Sequence, residues 1–176
     1  TFFFFFASKI NAITGGFELG HNVSLAFFAL FQLDILDEKK TILENVMGIS
    51  DDVGEKRARN LLGSFLFRGD DVFKNVGVLS GGEKSRVGLA CLLLQQANFL
   101  LLDEPTNHLD MSSAEILASA IEEYEGTVLF VSHDRSFIDS ICTHVFAMTN
   151  DGRFALFEGK LEDYERLAPL SGFPDI

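Results

Sequence analysis

Cysteines are scarce in this sequence, and long apolar runs are absent. The 176 residues include two cysteines, Cys91 and Cys142, and neither has the spacing of a metal ligand. We therefore predict two buried thiols in a reducing compartment and not a disulfide. No apolar run approaches the roughly 18 residues that a membrane-spanning helix needs. The apolar residues 2–7 have no basic residue before them, unlike a signal peptide. We expect a cytoplasmic protein without direct membrane insertion.

Basic residues are scarce as well. Lys and Arg total 14 against 26 for Asp and Glu, which gives a net charge of −12. Because such a charge repels phosphate backbones, nonspecific binding of nucleic acid is not expected. The length and the hydrophobic content of 47% are those of one ordinary soluble domain. A domain of this size buries about 70% of the surface of its unfolded chain.

One phosphate-binding string is missing. A P-loop reads G-x-x-x-x-G-K-[ST]; its backbone N–H groups cradle phosphates, and its lysine reaches the terminal ones. The 176 residues contain no such string. Any phosphate chemistry of this chain must therefore depend on other residues.

The most informative stretch is residues 79–110, LSGGEKSRVGLACLLLQQANFLLLDEPTNHLD. Ser80 and Glu83 have the Ser-x-x-Glu spacing of a capping box, which predicts the start of a helix of about 14 residues, ~21 Å long. Because Gly81 and Gly82 carry no side chains, a ligand can approach the free N–H groups and the positive dipole end of this helix. We predict a phosphate site there.

A strand with a charged end follows that helix. The unbroken apolar run FLLL at residues 99–102 is typical of a strand buried on both faces of a parallel sheet. Asp103 and Glu104 stand at its carboxyl end, where open α/β sheets bind their ligands. Two adjacent carboxylates repel each other unless a cation or solvent lies between them, and Mg²⁺ takes one or two carboxylates together with substrate phosphates. We predict Mg²⁺ at this strand end.

Further elements are predicted from apolar patterns, turn residues and capping boxes. Predicted strands cover residues 17–19 and 23–28, on either side of a turn at 20–22, and residues 145–148 and 153–157, which we expect to pair about a turn at 150–152. A further strand at 127–131 is predicted to be buried and parallel, and to bring Ser132, His133 and Asp134 to the same sheet edge as Asp103 and Glu104. One predicted helix begins at the capping box Thr41 to Glu44. Another begins at the capping box Ser112 to Glu115 and continues through residues 116–124, with Gly126 as the C-cap. Others cover residues 51–62, 137–142 and 161–167.

The motifs in this order resemble those of a known family. LSGGE and LLLDEPTNHLD are similar to the signature loop, Walker B strand and D-loop of ATP-binding cassette ATPases, and VSHDRSF at residues 131–137 completes the similarity to subfamily F. The resemblance implies an α/β fold of the P-loop NTPase type, with a parallel sheet flanked by helices. It also implies a partial cassette over residues 1–168, a helical subdomain at about 34–78, and a tail or linker at 169–176.

The resemblance gives roles to individual residues. Glu104 would activate or orient the water that attacks the γ-phosphate of ATP, Asp103 would hold Mg²⁺ through water, and His133 would sense the γ-phosphate. In this family two cassettes of one chain face head to tail, so the signature loop of one closes over nucleotide held by the other. The residues expected to bind nucleotide in this way are Ser80, Gly81, Gly82, Glu83 and Asp110. Members of subfamily F are soluble and act on the ribosome in translation, so the expected partners are ATP, a second cassette and the ribosome.

Two features of the amino-terminal part are compared with the family pattern, and the second departs from it. Residues 2–8 match the helix that begins within a P-loop, so Thr1 is expected to follow a Gly-Lys-Ser or Gly-Lys-Thr directly, in the second cassette of the intact protein. The isolated chain is then expected to be inactive. The family has a glutamine after its second strand; Leu30 occupies the matching position, and Gln32 stands about 7 Å farther along an extended chain. Both residues remain candidates for this position.

Two alternatives to a subfamily F ATPase remain open. The first is the nucleotide-binding subunit of a transporter, although the spelling NHLD at residues 107–110 and the stretch 65–71 are closer to subfamily F. The second is a truncated, non-catalytic cassette that acts as a binding module. The missing P-loop and Leu30 at the glutamine position favour this second alternative.

Overall fold

The computed structural model describes residues 16, 18–29, 35–107, 109–149 and 153–171. The chain forms two compact units, Thr1–Val131 and Ser132–Ile176. The described elements of the first unit are β1 (Leu25–Ala29), α1 (Ile42–Met47), α2 (Glu55–Ser64), two short 3-10 helices (Gly69–Phe73 and Val76–Val78), α3 (Gly81–Leu94), β2 (Phe99–Asp103), α4 (Met111–Glu122) and β3 (Thr127–Val131). Those of the second unit are α5 (Arg135–Ile141), β4 (His144–Met148), β5 (Phe154–Glu158) and α6 (Leu161–Ser171).

The first unit contains a parallel sheet in the order β1-β2-β3. In its register Ala29 pairs with Asp103, and Asp103 pairs with Val131, so the carboxyl ends of the three strands are level. The apolar run of β2 is buried at Leu100, Leu101 and Leu102, because this strand lies between two others. The prediction of a buried parallel strand ending at the two carboxylates is confirmed.

β3 forms where it was predicted, parallel to β2, but it is less buried than predicted. Its residues are half-buried or exposed, and Val131 keeps 46% of its surface exposed. The reason is its place in the sheet, since among the described residues β3 pairs with β2 alone and forms an edge. An apolar run in the sequence shows that a strand can be buried, whereas its neighbours decide whether it is.

Helix α3 has the start and the length that the capping box predicts. Ser80 is the N-cap, and the helix contains 14 residues. Its apolar residues are buried except for Leu93, which is half-buried. They include Cys91, and burial raises the pKa of that thiol to about 12. Cys142 is also buried, and both cysteines are free, as predicted.

The polar stretch between β1 and α3 folds into short helices. Thr41 and Glu44 form the predicted capping box at the start of α1. The helix predicted at residues 51–62 is present but displaced, since α2 begins at Glu55 after the N-cap Gly54. Backbone hydrogen bonds from Ile42 N to Lys74 O and from Val76 N to Lys40 O, both 3.0 Å, close this part of the chain on itself.

The start and the end of α4 differ from the prediction. Asp110 is the N-cap, and its side chain accepts a hydrogen bond from the N–H of Ser113. Ser112 therefore lies within the first turn of the helix and is not its cap. The helix ends at Glu122, with Glu123 as the C-cap in place of Gly126. Gly126 instead allows a close approach of two segments, because a Cβ there would lie 2.6 Å from the carbonyl oxygen of Asn98.

One predicted strand is not present in the described part of its range. Residues 18–20 have no regular structure, and Phe17 lies outside the described residues. The prediction relied on a short apolar pattern before a turn at His21 and Asn22. Within the described residues β1 pairs with β2, which is parallel to it and far away in sequence.

The second unit is a strand pair packed with two helices. β4 and β5 pair in antiparallel register, from His144 with Glu158 to Met148 with Phe154, as predicted. Tyr164 of α6 is buried and meets the Phe157 ring edge-on, with the ring centroids 5.6 Å apart. α6 continues to Ser171, three residues into the stretch predicted as a tail or linker. None of the helices among the described residues is long and apolar enough to cross a membrane.

Candidate functional site

The loop before α3 is held by its own side chains. The Glu83 carboxylate accepts hydrogen bonds from the Ser80 backbone N–H at 2.8 Å and from the Ser80 hydroxyl at 2.7 Å. The Ser80 hydroxyl in turn accepts from the Glu83 N–H at 3.4 Å. The hydrogen bonds from Ser80 lower the pKa of the Glu83 carboxyl, and the one from the Ser80 hydroxyl has the largest effect. The loop is therefore a fixed structure before any ligand arrives.

The backbone of this loop is open to a ligand. Gly81 is exposed, and a Cβ placed on it would meet no atom within 4 Å. The N-terminus of a 14-residue helix attracts negative charge, and its first N–H groups have no partner within the helix. This combination suits a phosphate group, as the sequence predicts.

Asp103 and Glu104 lie side by side at the end of the central strand. Asp103 is the last residue of β2, and both residues are half-buried. The N–H of Glu104 donates to the carbonyl of Val131 at 2.9 Å. This hydrogen bond extends the pairing of β2 and β3 by one residue beyond the end of β2. The two carboxylates thus share the sheet edge at which open α/β sheets bind ligands.

The backbone of Glu104 is in an unusual conformation. Its φ is +50°, in the left-handed region that residues with a side chain rarely adopt. Its carbonyl accepts a hydrogen bond from Asn107 N at 3.1 Å, and Leu109 N donates to Thr106 O at 3.0 Å, so the chain makes two successive turns here. A strained conformation of this kind costs about 1–3 kcal/mol and is found most often at functional sites.

The donor set at this strand end fits Mg²⁺ better than a metal held by protein alone. Among the described residues no group of three or more His, Cys, Asp or Glu side chains could hold a metal ion. Mg²⁺ retains water and takes one or two carboxylates plus substrate phosphates, so two adjacent carboxylates suit it. The site therefore fits a metal that arrives with a nucleotide.

Asp110 ends the polar turn that begins at Glu104. Its Oδ1 accepts from the N–H of Ser113 at 2.8 Å. Its Oδ2 lies 3.7 Å from the guanidinium Nη1 of Arg86 in α3. The hydrogen bonds of Ser113 lower the pKa of Asp110, and the positive charge of Arg86 adds to this in a smaller way. Asp110 is thus occupied on both carboxylate oxygens by its own protein.

Sequence reasoning did not single out Arg86. The signal it offers is a positive charge directly before the apolar run VGLACLLL of α3. Its contacts are with residues distant in sequence, Phe67 and Asp110, and these could not be foreseen from the sequence.

His133 belongs to the second unit, two residues after the end of β3. It is exposed and stands in a short turn between Ser132 and Asp134. The Ser132 hydroxyl accepts from Asp134 N at 3.1 Å, and the Asp134 carboxylate caps α5 through Phe137 N at 3.1 Å. The residues on both sides of His133 therefore fix its backbone.

The remaining predicted features lie outside the described residues. They are the apolar residues 2–8, both candidates for the glutamine position (Leu30 and Gln32), and His108.

A groove in the described part of the first unit lies at the strand ends opposite to the carboxylates. It has a volume of about 750 Å³ and is lined by Arg57 and Asn60 of α2, Leu94 at the end of α3, and Asn98 and Gly126. Asn98 and Gly126 precede β2 and β3, so this groove lies at the amino ends of the strands. Phosphate chemistry is expected at the opposite edge, and we do not assign the groove to it.

The family follows from a comparison with known proteins. A family model with the description "ABC transporter" matches residues 20–107, which include the signature loop and both carboxylates. The chain belongs to this family. The α/β fold predicted from the motifs is confirmed with it.

The relatives agree with the predicted subfamily. The chain is 46% identical over 86% of its length to the protein YdiF of Bacillus subtilis, and 42% identical over 86% to the energy-dependent translational throttle protein EttA of Escherichia coli. It is also 39% identical over 91% to the protein YheS of Haemophilus influenzae. These are ABC-F proteins, so the resemblance to subfamily F is confirmed. The chain spans about a quarter of their length, between 23% and 28%.

A solved structure extends the likeness to nearly the whole chain. The archaeal ribosome recycling factor aABCE1, in a complex with the ribosomal stalk protein aP1, matches 97% of this chain with a TM-score of 0.73 and 26% identity. The match covers 34% of that protein. The structure called RNase-L Inhibitor gives the same values.

Proposed function

We propose that the intact protein is a cytoplasmic ATPase that hydrolyses MgATP between two cassettes, and that this chain supplies part of one of them. The observation that carries the proposal is Glu104, a carboxylate held at a φ of +50° at the end of the central buried strand, directly after Asp103. A conformation that costs stability is expected to be kept where it serves a reaction.

In the proposed reaction Glu104 accepts the proton of a water molecule. The oxygen of that water attacks the γ-phosphorus of ATP, and the bond from this phosphorus to the β-phosphate oxygen breaks, which releases ADP. Asp103 would hold Mg²⁺ through water, and the bound ion would neutralise charge on the phosphate oxygens. For His133 the resemblance to the family alone supports a role in sensing the γ-phosphate. Phosphoryl transfer needs mainly positioning and charge stabilisation, which Asp103 and Glu104 can supply.

The loop before α3 has a different part in the proposal. Its open backbone at Gly81 and Gly82, the Ser80 hydroxyl and the adjacent Glu83 bind the phosphates of ATP held by the other cassette. The sequence contains no P-loop of its own. Hydrolysis by this chain therefore requires the rest of the intact protein.

We propose the ribosome as the macromolecular partner. The support is indirect: one relative is described as a translational throttle, and the structural neighbour is a ribosome recycling factor. The net charge of −12 argues against nonspecific attraction of this part to RNA, so other parts of the intact protein would make the contact. Sedimentation of the intact protein with ribosomes in the presence of ATP tests this, and sedimentation with membranes instead would favour a transporter subunit.

The catalytic proposal is tested by Glu104→Gln in the intact protein. We expect kcat for MgATP to fall about 100-fold or more, the effect of removing a general base, with little change in nucleotide affinity. The control is Glu122→Gln, which removes an exposed carboxylate at the end of α4 and should leave kcat unchanged. Equal hydrolysis by wild type and Glu104→Gln would refute the assignment, and an intact wild type that binds ATP without hydrolysing it would support a non-catalytic module.

A further inference from the structure

We propose that Arg86 is a positioning residue for the hydrolysis proposed above. It ties α3, whose N-terminal end carries Ser80 and Glu83, to the turn that runs from Glu104 to Asp110. This inference rests on the proposed ATPase function and adds to it a residue that connects the segment proposed to bind phosphate with the segment proposed to carry the catalytic carboxylate.

The side chain of Arg86 contacts both neighbouring segments. Its Nη1 lies 3.7 Å from Oδ2 of Asp110, and its guanidinium carbon lies 5.5 Å from the centre of the Phe67 ring. Only 16% of the Arg86 side chain is exposed, and Phe67 is buried. Arg86 is thus held between the aromatic ring and the carboxylate, inside the first unit.

The turn that Arg86 contacts is held at both ends. At its start, the N–H of Glu104 donates to Val131 O at 2.9 Å. At its end, Asp110 shares its carboxylate between Ser113 N at 2.8 Å and Arg86. Because Glu104 has a φ of +50°, its conformation persists only if the surrounding contacts fix it. Arg86 supplies a charged contact to this turn from the helix of the signature loop.

Arg86 is a poor choice for packing alone. Its Nε is buried and has no hydrogen-bond partner among the residues that the structure describes. A buried charged group with an incomplete set of hydrogen bonds adds little stability compared with an apolar side chain of similar volume. A role in holding two segments in a defined arrangement accounts for a charge at this position.

The geometry also favours arginine over lysine. A planar guanidinium can stack on Phe67 with one face while its edge is directed to Asp110. An ammonium group has no such face.

The test is a double-mutant cycle on ATP hydrolysis by the intact protein, with Arg86→Met and Asp110→Asn. Asparagine remains a good N-cap, so Asp110→Asn removes the charge pair and keeps the cap on α4. We expect each variant to lower kcat about tenfold, the double variant to be no slower than either, and KM for MgATP to stay within about twofold. Non-additivity of this kind identifies residues that act together.

A matched ion pair on the same helix serves as the control. Lys84 Nζ lies 2.6 Å from Glu38 Oε1, so Lys84→Met and Glu38→Gln break a shorter ion pair of α3 that does not reach the Glu104 turn. We expect kcat to be unchanged in both. Asp110→Asn alters an exposed side chain and keeps the inference testable even if Arg86→Met does not fold.

The outcomes separate the two proposals. If Glu104→Gln abolishes turnover but Arg86→Met and Asp110→Asn hydrolyse ATP like wild type, the role of Arg86 is refuted and the ATPase proposal stands. Losses that add in the double variant, or a change confined to KM, would also refute it. If Glu104→Gln hydrolyses ATP like wild type, the proposed function fails and the inference fails with it.

Discussion

The two segments of the proposed site are stabilised in different ways. The loop before α3 is fixed by hydrogen bonds between Ser80 and Glu83, which are three residues apart. The turn after β2 has local hydrogen bonds as well, but it is also held from outside, by Val131 at its start and by Arg86 at its end, and it contains a residue with positive φ. The loop proposed to bind phosphate therefore depends on local contacts, whereas the turn proposed to position the attacking water includes a conformation that its own sequence disfavours.

The largest effect expected from this comparison concerns the backbone of Glu104. Glycine adopts positive φ without a steric penalty, whereas any L-residue with a side chain loses roughly 1–2 kcal/mol. Glu104→Gly should therefore be more stable than Glu104→Ala by about 1 kcal/mol, although both lack the carboxylate. Urea unfolding of the two variants of the intact protein measures this difference. Equal stability would mean that the turn is not strained.

Two serines test the loop that is stabilised by its own contacts. Ser80 and Ser112 each begin a Ser-x-x-Glu string, but only Ser80 caps a helix in the structure. Ser80→Ala should lower the free energy of unfolding by about 1 kcal/mol, the typical value of a lost N-cap. Ser112→Ala should change it by less than about 0.5 kcal/mol, as for an ordinary surface substitution. A larger loss from Ser112→Ala than from Ser80→Ala would contradict the assigned caps.

The smallest expected effect is a dependence of the same loop on pH. The hydrogen bonds of Ser80 lower the pKa of Glu83 below its ordinary value of 4.5. The stabilisation they give is complete above that value and is lost as the pH falls through the lower pKa of the folded state. Glu83→Gln can still close the box but does not titrate. The stability difference between wild type and Glu83→Gln should therefore shrink between pH 7 and pH 3, and a constant difference would show that Glu83 is not involved.

The parts of the fold that the sequence predicts correctly are those with local signals. The caps at Thr41 and Ser80 and the strand pair β4–β5 each depend on residues a few positions apart. The burial of β2 followed from an unbroken apolar run. In each case the residues that determine the structure lie within one short stretch of the sequence.

The parts that could not be predicted depend on distant residues or on a choice between equal signals. Asp110 and Ser112 are both good N-caps, and only the path of the chain selects Asp110. The partial exposure of β3 depends on which strands lie beside it. The role of Arg86 depends on Phe67 and Asp110, which are 19 residues before it and 24 after it in the sequence. The positive φ of Glu104 has no signal in residue type at all, because glutamate does not favour it.

The most direct test of the central claim is a single-turnover measurement on the intact protein with ATP labelled at the γ-phosphate and with Mg²⁺ present. We predict that wild type and Glu122→Gln release labelled phosphate at the same rate. Glu104→Gln should bind the same amount of ATP, and its rate of phosphate release should be lower by a factor of about 100 or more. Release of phosphate by Glu104→Gln at the wild-type rate would contradict the claim that the turn after β2 carries the catalytic carboxylate.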